Sequence, residues 1–231
     1  MEPTPIVRRT GLVVAIDLQD LQRAASVAGE VAPFADAVKV GYPTVLAAGL
    51  GCVRTLAEAS RLPVICDFKV ADIPPVAGAI ARQALAAGAR SVICQAFAGR
   101  DSVAAVAEAC REHGALPIAV VEMSHEGGRE FTGPNAEALL NAALAGGARG
   151  IVAPATRPER IAALRVRAGA VLIFSPGAGA QGGSPKEAAR AGADFVIVGR
   201  SVVEARDPAR AAAEAAASIA EGARLRLASP P

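Results

Sequence analysis

Eight short runs rich in β-branched and apolar residues recur along this chain, and alanine-rich stretches with helical spacing separate them. The runs predict strands over residues 12–17, 37–40, 64–69, 91–96, 117–123, 150–153, 171–175 and 195–198. Segments such as TVLAAGLGCVRTLAEASR, IARQALAAG, SVAAVAEACREHG and NAEALLNAALAGG read as helices, and a last helix begins near Asp207. Parallel strands need a crossover of a dozen or more residues, usually a helix, so strict alternation implies a parallel sheet. Eight alternations within 231 residues fit a closed (β/α)8 barrel, the TIM barrel of the α/β class. An open doubly wound sheet is the alternative, but AIDLQD after the first run is no glycine loop for phosphate. We therefore expect a single barrel domain over residues 1–231, with short flexible tails at about 1–10 and 227–231.

Local signals agree with this alternation. Thr156 with Glu159, and Ser184 with Glu187, have the spacing of capping boxes. Glycines in AAGAR, AGGARG and ARAGAD stand where helices must stop. Hydrophobic residues form 52% of the chain, enough for a sizeable core. A net charge of +2 points to neither nucleic acid nor an anionic membrane. No apolar run approaches the roughly 20 residues of a membrane span, and MEPTPIVRRTG lacks the apolar stretch of a signal peptide. A cytoplasmic protein is expected. Cys52, Cys66, Cys94 and Cys110 show no metal spacing and read as small hydrophobes. His113 and His125 are too few and too isolated to suggest a zinc site.

The third run, in VICDFKVADIP, breaks the apolar pattern with Asp67 and Lys69, and Asp72 follows. Side chains alternate across a strand, so Asp67 and Lys69 share a face while Cys66 and Phe68 face the helices. Asp17 ends the first run and Lys39 lies late in the second, which brings two acids and two lysines to the C-terminal end of the barrel. Chemistry in this fold is placed at that end. A structural ion network is the bland alternative, but buried ion clusters are a poor route to stability and favour functional sites. Asp72 has its own alternative as the N-cap of the helix beginning near Pro74. Of the 24 basic residues only Lys39, Lys69 and Lys186 are lysines, and two of them sit in strands. Arginine does not release a proton in practice, whereas a partly buried lysine can, which hints at proton transfer. After the seventh and eighth runs come SPGAGAQGGSPKE and VGRS, whose glycines let backbone amides approach an anion. Barrels often bind phosphate with these two loops, and Arg200 and Gln181 could supply side-chain contacts.

The blocks AIDLQD, VKVGYP, DFKVADIP, EMSH, SPGAGAQGG and VGRS together resemble orotidine 5′-phosphate decarboxylase of the archaeal type. The resemblance runs from about Leu12 to the last helix and implies conversion of orotidine 5′-phosphate to UMP, without metal or cofactor. It implies Lys69 as proton donor between Asp67 and Asp72, with Lys39 in the same array and Asp17 on the ribose hydroxyls. Ser124 would recognise the pyrimidine, and Pro176, Gly177, Gln181, Gly199 and Arg200 would hold the base edge and phosphate. It also implies a homodimer with shared sites, in which Asp72 and Ile73 reach into the partner's site. The chain departs from the family at Val76, where a threonine usually hydrogen-bonds the ribose from the neighbouring subunit. The loss amounts to one hydrogen bond, about 1 kcal/mol. The nearest competing reading is a magnesium-dependent 3-keto-gulonate 6-phosphate decarboxylase or a hexulose-phosphate synthase-like enzyme. Those proteins place a glutamate among the metal ligands where this chain has Lys39, whose charge would repel the ion. A catalytically idle nucleotide-binding barrel is the reading from another class.

Overall fold

Eight parallel strands pair in chain order, and the eighth returns to the first, in a computed structural model that describes residues 6–228. The strands are β1 (Leu12–Ala15), β2 (Ala37–Gly41), β3 (Val64–Val70), β4 (Ser91–Gln95), β5 (Leu116–Val120), β6 (Gly150–Val152), β7 (Leu172–Ala178) and β8 (Phe195–Val198). Helices cross between them on the outside, and Pro208–Ala228 is the last. The seam pairs Leu12 with Val196 and Val14 with Val198.

Because both faces of the sheet are covered, the strands read as near-continuous apolar runs, yet the alternation still sorts them. Val13, Ile65, Ile93, Ile118, Phe174 and Phe195 fill the barrel itself. Their neighbours Val14, Val38, Cys66 and Val92 belong to a second core, under the helices. Phe174 and Phe195 stack with ring centroids 4.8 Å apart and plug the barrel between β7 and β8. Cys66 and Phe68 face the helices as the alternation requires.

The strand bounds differ from expectation at three functional places, and at one of them β7 runs on to Ala178, so Pro176 and Gly177 belong to the strand rather than to the loop after it. β1 stops at Ala15, which leaves Asp17 two residues beyond it. β5 ends at Val120, where its pairing with Val152 ends, so Glu122 and Met123 belong to the following loop. Asp17 thereby leaves the ladder and reaches Lys39 at the barrel mouth, whereas the buried Glu122 pairs with Arg157 and Arg160.

Gly88 and Gly192 take the positive φ (112° and 118°) expected just past helix ends. Ser184 caps the helix Pro185–Ala191 by accepting from the Glu187 amide at 3.3 Å. Thr156 does not cap the helix Pro158–Ala168: Arg157 precedes that helix, and the Thr156 hydroxyl donates to the Ser124 carbonyl at 2.9 Å. Asp72 is likewise no cap of the helix Pro74–Ala86, because Ile73 takes that place and Asp72 Oδ1 accepts from the Ile73 amide at 2.7 Å.

The expected tails fall partly on residues 1–5 and 229–231, outside the described residues. Ile6 is buried, and the amides of Arg9, Thr10 and Gly11 converge on the Asp36 carboxylate at 3.0, 3.0 and 2.7 Å. This tie fixes the entry into β1. β3 departs from regularity: its register with β4 shifts between Cys66 and Val70, and Lys69 has φ 44°. A positive φ is unfavourable for a residue with a Cβ and persists only where its surroundings impose it.

Candidate active site

Four charged side chains alternate in sign across the C-terminal ends of the first three strands. Lys39 Nζ lies 3.2 Å from Asp17 Oδ2 and 3.0 Å from Asp67 Oδ2, and Lys69 Nζ lies 2.8 Å from Asp67 Oδ1. Gly41 admits the first acid: its amide donates to Asp17 Oδ1 at 2.8 Å, and a Cβ there would sit 2.7 Å from the same oxygen. Any larger residue would push Asp17 away from Lys39.

The middle of the array is buried and its ends are open. The Lys39 and Asp67 side chains are 7% and 10% exposed, against 38% for Lys69 and 41% for Asp17. Burial by itself would lower the Lys39 pKa, but the charges of Asp67 and Asp17 and their hydrogen bonds raise it overall. Burial would likewise raise the Asp67 pKa, and the two lysines beside it hold it below the ordinary carboxylate value instead. Asp67 is thus a fixed anion and Lys39 a fixed cation. Lys69 is the ammonium with access to a bound molecule.

These groups line one side of a cavity of about 820 Å³. The opposite side carries Pro176, Gly177, Gln181, Gly199 and Arg200, and Ile93, Val152 and Ile197 form apolar floor. Gly177 has φ 95°, and a Cβ on it would lie 3.0 Å from Ser124 Cβ and 3.1 Å from Thr156 Cγ2. Glycine is therefore required there both by conformation and by space. The Ser124 hydroxyl donates to Gln181 Oε1 at 2.9 Å, joining the loop after β5 to the loop after β7 across the mouth.

Of the residues expected from sequence, Asp17, Lys39, Asp67, Lys69, Ser124, Pro176, Gly177, Gln181, Gly199 and Arg200 all border this cavity. Asp72 and Ile73 do not border it within one chain. Ile73 is 63% exposed, and Asp72 is exposed beside it.

The sequence reading missed a buried ionic frame behind the Ser124 loop. Glu122 is 1% exposed and takes Arg157 Nε on one oxygen at 3.1 Å and Arg160 Nε on the other at 2.8 Å. Arg157 Nη2 also donates to the Met123 carbonyl, and the Thr132 hydroxyl accepts from the Met123 amide. Only the EMSH block marked this region in sequence, and a carboxylate ending an apolar strand was the available signal for Glu122. Among the described residues, no group of three or more His, Cys, Asp or Glu side chains is placed to hold a metal ion. All four cysteines are buried and unbridged, and burial pushes the thiols of Cys66, Cys94 and Cys110 up to about 12.

Comparison with known proteins agrees with this fold. A model of the "Orotidine 5'-phosphate decarboxylase / HUMPS family" matches residues 10–215. An orotidine 5'-phosphate decarboxylase of Methanosarcina barkeri is 47% identical over 213 residues, covering 92% of this chain and 96% of the relative. Its counterpart in Methanosarcina acetivorans is 49% identical over the same shares. A crystal structure of orotidine 5'-monophosphate decarboxylase from Methanocaldococcus jannaschii, complexed with the inhibitor BMP, superposes with a TM-score of 0.86. That structure is 35% identical and covers 93% of this chain and 99% of its own. The match spans all eight strands, and the chain belongs to the orotidine 5'-phosphate decarboxylase / HUMPS family.

Proposed function

We propose that this protein decarboxylates orotidine 5′-phosphate to UMP in pyrimidine biosynthesis. The observation that carries the reading is the alternating array Asp17–Lys39–Asp67–Lys69 on one wall of a nucleotide-sized cavity. The archaeal relatives bear the name of this activity, and one related structure of the same fold holds an inhibitor.

The array fits the chemistry. When the bond from ring carbon to carboxylate breaks, carbon dioxide leaves and the electron pair stays on a carbon that resonance stabilises poorly. The Lys69 ammonium stabilises that pair and then supplies the proton that forms the new C–H bond, regaining one from solvent. A substrate carboxylate brought beside Asp67 meets a fixed negative charge, and loss of carbon dioxide relieves the repulsion. Lys39 keeps Asp67 ionised, and Asp17 stands where ribose hydroxyls can be bound. Across the cavity, Arg200 and the amides around Gly177 and Gly199 suit the phosphate, while Ser124 and Gln181 suit the base. Binding energy drawn from the distant phosphate can then organise the reacting end.

The finer reading is a cytoplasmic homodimer with shared sites. Tyr42, Leu46, Ile73, Val76, Phe97 and Phe131 are large exposed hydrophobic residues that follow β2, β3, β4 and β5. A second copy over this side supports burial of that apolar surface. It would also bring Asp72 beside the partner's Lys69. Four buried, unbridged thiols support a reducing compartment.

The test is to add orotidine 5′-phosphate to exhaustively chelated protein and follow loss of the orotate absorbance. Turnover is expected, unchanged by added magnesium, because the Lys39 ammonium already stands between the two carboxylates a cation would use. Absolute dependence on a divalent ion would move the assignment to the sugar-phosphate enzymes. Binding of UMP without turnover would move it to an idle nucleotide-binding barrel.

A further inference from the structure

We propose that Ser102 is a positioning residue for Asp72, acting on the catalytic array from thirty residues away in sequence. The inference rests on the reading of Asp72 as part of that array. Asp72 lies in the exposed loop between the irregular end of β3 and the helix Pro74–Ala86. Its carboxylate makes only a local turn with the Ile73 amide, at 2.7 Å. The backbone of the same residue is held differently: the Ser102 hydroxyl donates to the Asp72 carbonyl.

Ser102 is well placed to act as an anchor. It is 4% exposed, in the first turn of the helix Arg100–Glu112, and its amide is fixed by Asp101 Oδ1 at 2.9 Å. That helix packs closely on the helix following Asp72. A Cβ on Gly78 would lie 3.5 Å from the Ala105 carbonyl and 3.7 Å from Ala105 Cβ. The donor thus belongs to a rigid pair of helices, and the acceptor belongs to an exposed loop. Fixing the Asp72 carbonyl restricts ψ of Asp72 and φ of Ile73, and these rotations set where the carboxylate points. A group working at a reacting carbon tolerates little misplacement, so a single anchoring bond has leverage on turnover. Ser102 itself does not border the cavity, and its influence passes through Asp72.

Ser102→Ala, Asp72→Asn and the double variant, assayed with orotidine 5′-phosphate, test this. Ser102→Ala is expected to lower kcat roughly three- to tenfold, the scale of one lost hydrogen bond, while melting temperature and UMP affinity stay near wild type. Ser102→Thr, which keeps the hydroxyl, is expected to retain most of the rate. In the Asp72→Asn background, removal of the Ser102 hydroxyl is expected to change kcat no further, because the two changes act through one group. An undiminished loss in that background overturns the proposal, as does wild-type kcat in Ser102→Ala. If Ser102→Ala does not fold, Ser102→Cys carries the same pair of outcomes. Full activity in Asp72→Asn alone would remove Asp72 from the array, a failure separate from that of Ser102.

Discussion

Lys69 combines three properties at one position: an ion pair with Asp67, partial access to the cavity, and a backbone at φ 44°. Replacing it with Ala should leave a folded protein that binds UMP and turns over orotidine 5′-phosphate at least about 10² to 10⁴ more slowly, the range for a lost general acid. A variant within tenfold of wild type would sink the mechanism. The shared face of Asp67 and Lys69 was legible from alternation alone. The positive φ was not: it falls within the register shift against β4, and no local residue type announces that shift. Asp67 offers a second test, in pH. Its pKa is depressed in the fold, so its contribution to stability is present above the ordinary value of 3.8 and lost as pH falls through the folded value. The Lys39 pKa is raised, so its contribution is present below 10.5 and lost as pH rises through the folded value. The destabilisation caused by Asp67→Asn, read from denaturant midpoints, should therefore be largest between those limits and shrink towards acid. A loss of constant size down to the acid end would contradict the assignment of Asp67 as a paired anion.

At the scale of elements, the strands were readable because each pairs with its sequence neighbour and both sheet faces are apolar. Their ends were less so, since a strand stops where its partner does: β5 ends with its pairing to β6, and Met123 and Ser124 pass into the mouth. The two capping-box signals show what local spacing can and cannot decide. Ser184 has no competing partner among the described residues and caps its helix, whereas the Thr156 hydroxyl is taken by the Ser124 carbonyl from another loop. Ser184→Ala should accordingly lower stability by about 1 kcal/mol, measured by thermal or denaturant unfolding. No change would mean that the hydroxyl is replaced by solvent at no loss. The frame of Glu122, Arg157 and Arg160 escaped the sequence for the same reason as Thr156. Arg157 and Arg160 lie 35 and 38 residues from Glu122, and the pairing of β5 with β6 brings them together.

For the whole molecule, the array in one chain lacks Asp72, and the dimer reading predicts where it comes from. Lys69→Ala and Asp72→Asn homodimers should each be nearly inactive. After subunit exchange, mixed dimers should regain activity, because one site then combines Lys69 of one chain with Asp72 of the other. Verified exchange without recovery would assign Asp72 to its own chain's site. The route of the chain has a further consequence, for synthesis on the ribosome. β1 is made first, yet one of its two edges is paired only by β8, at Phe195–Val198. Until those residues emerge, the nascent chain carries an open sheet with two unsatisfied edges, the kind of surface that recruits other strands. Barrel closure is thus a late event in translation, and a chain cut short before Phe195 would keep most of its residues but lose the strand that closes the sheet.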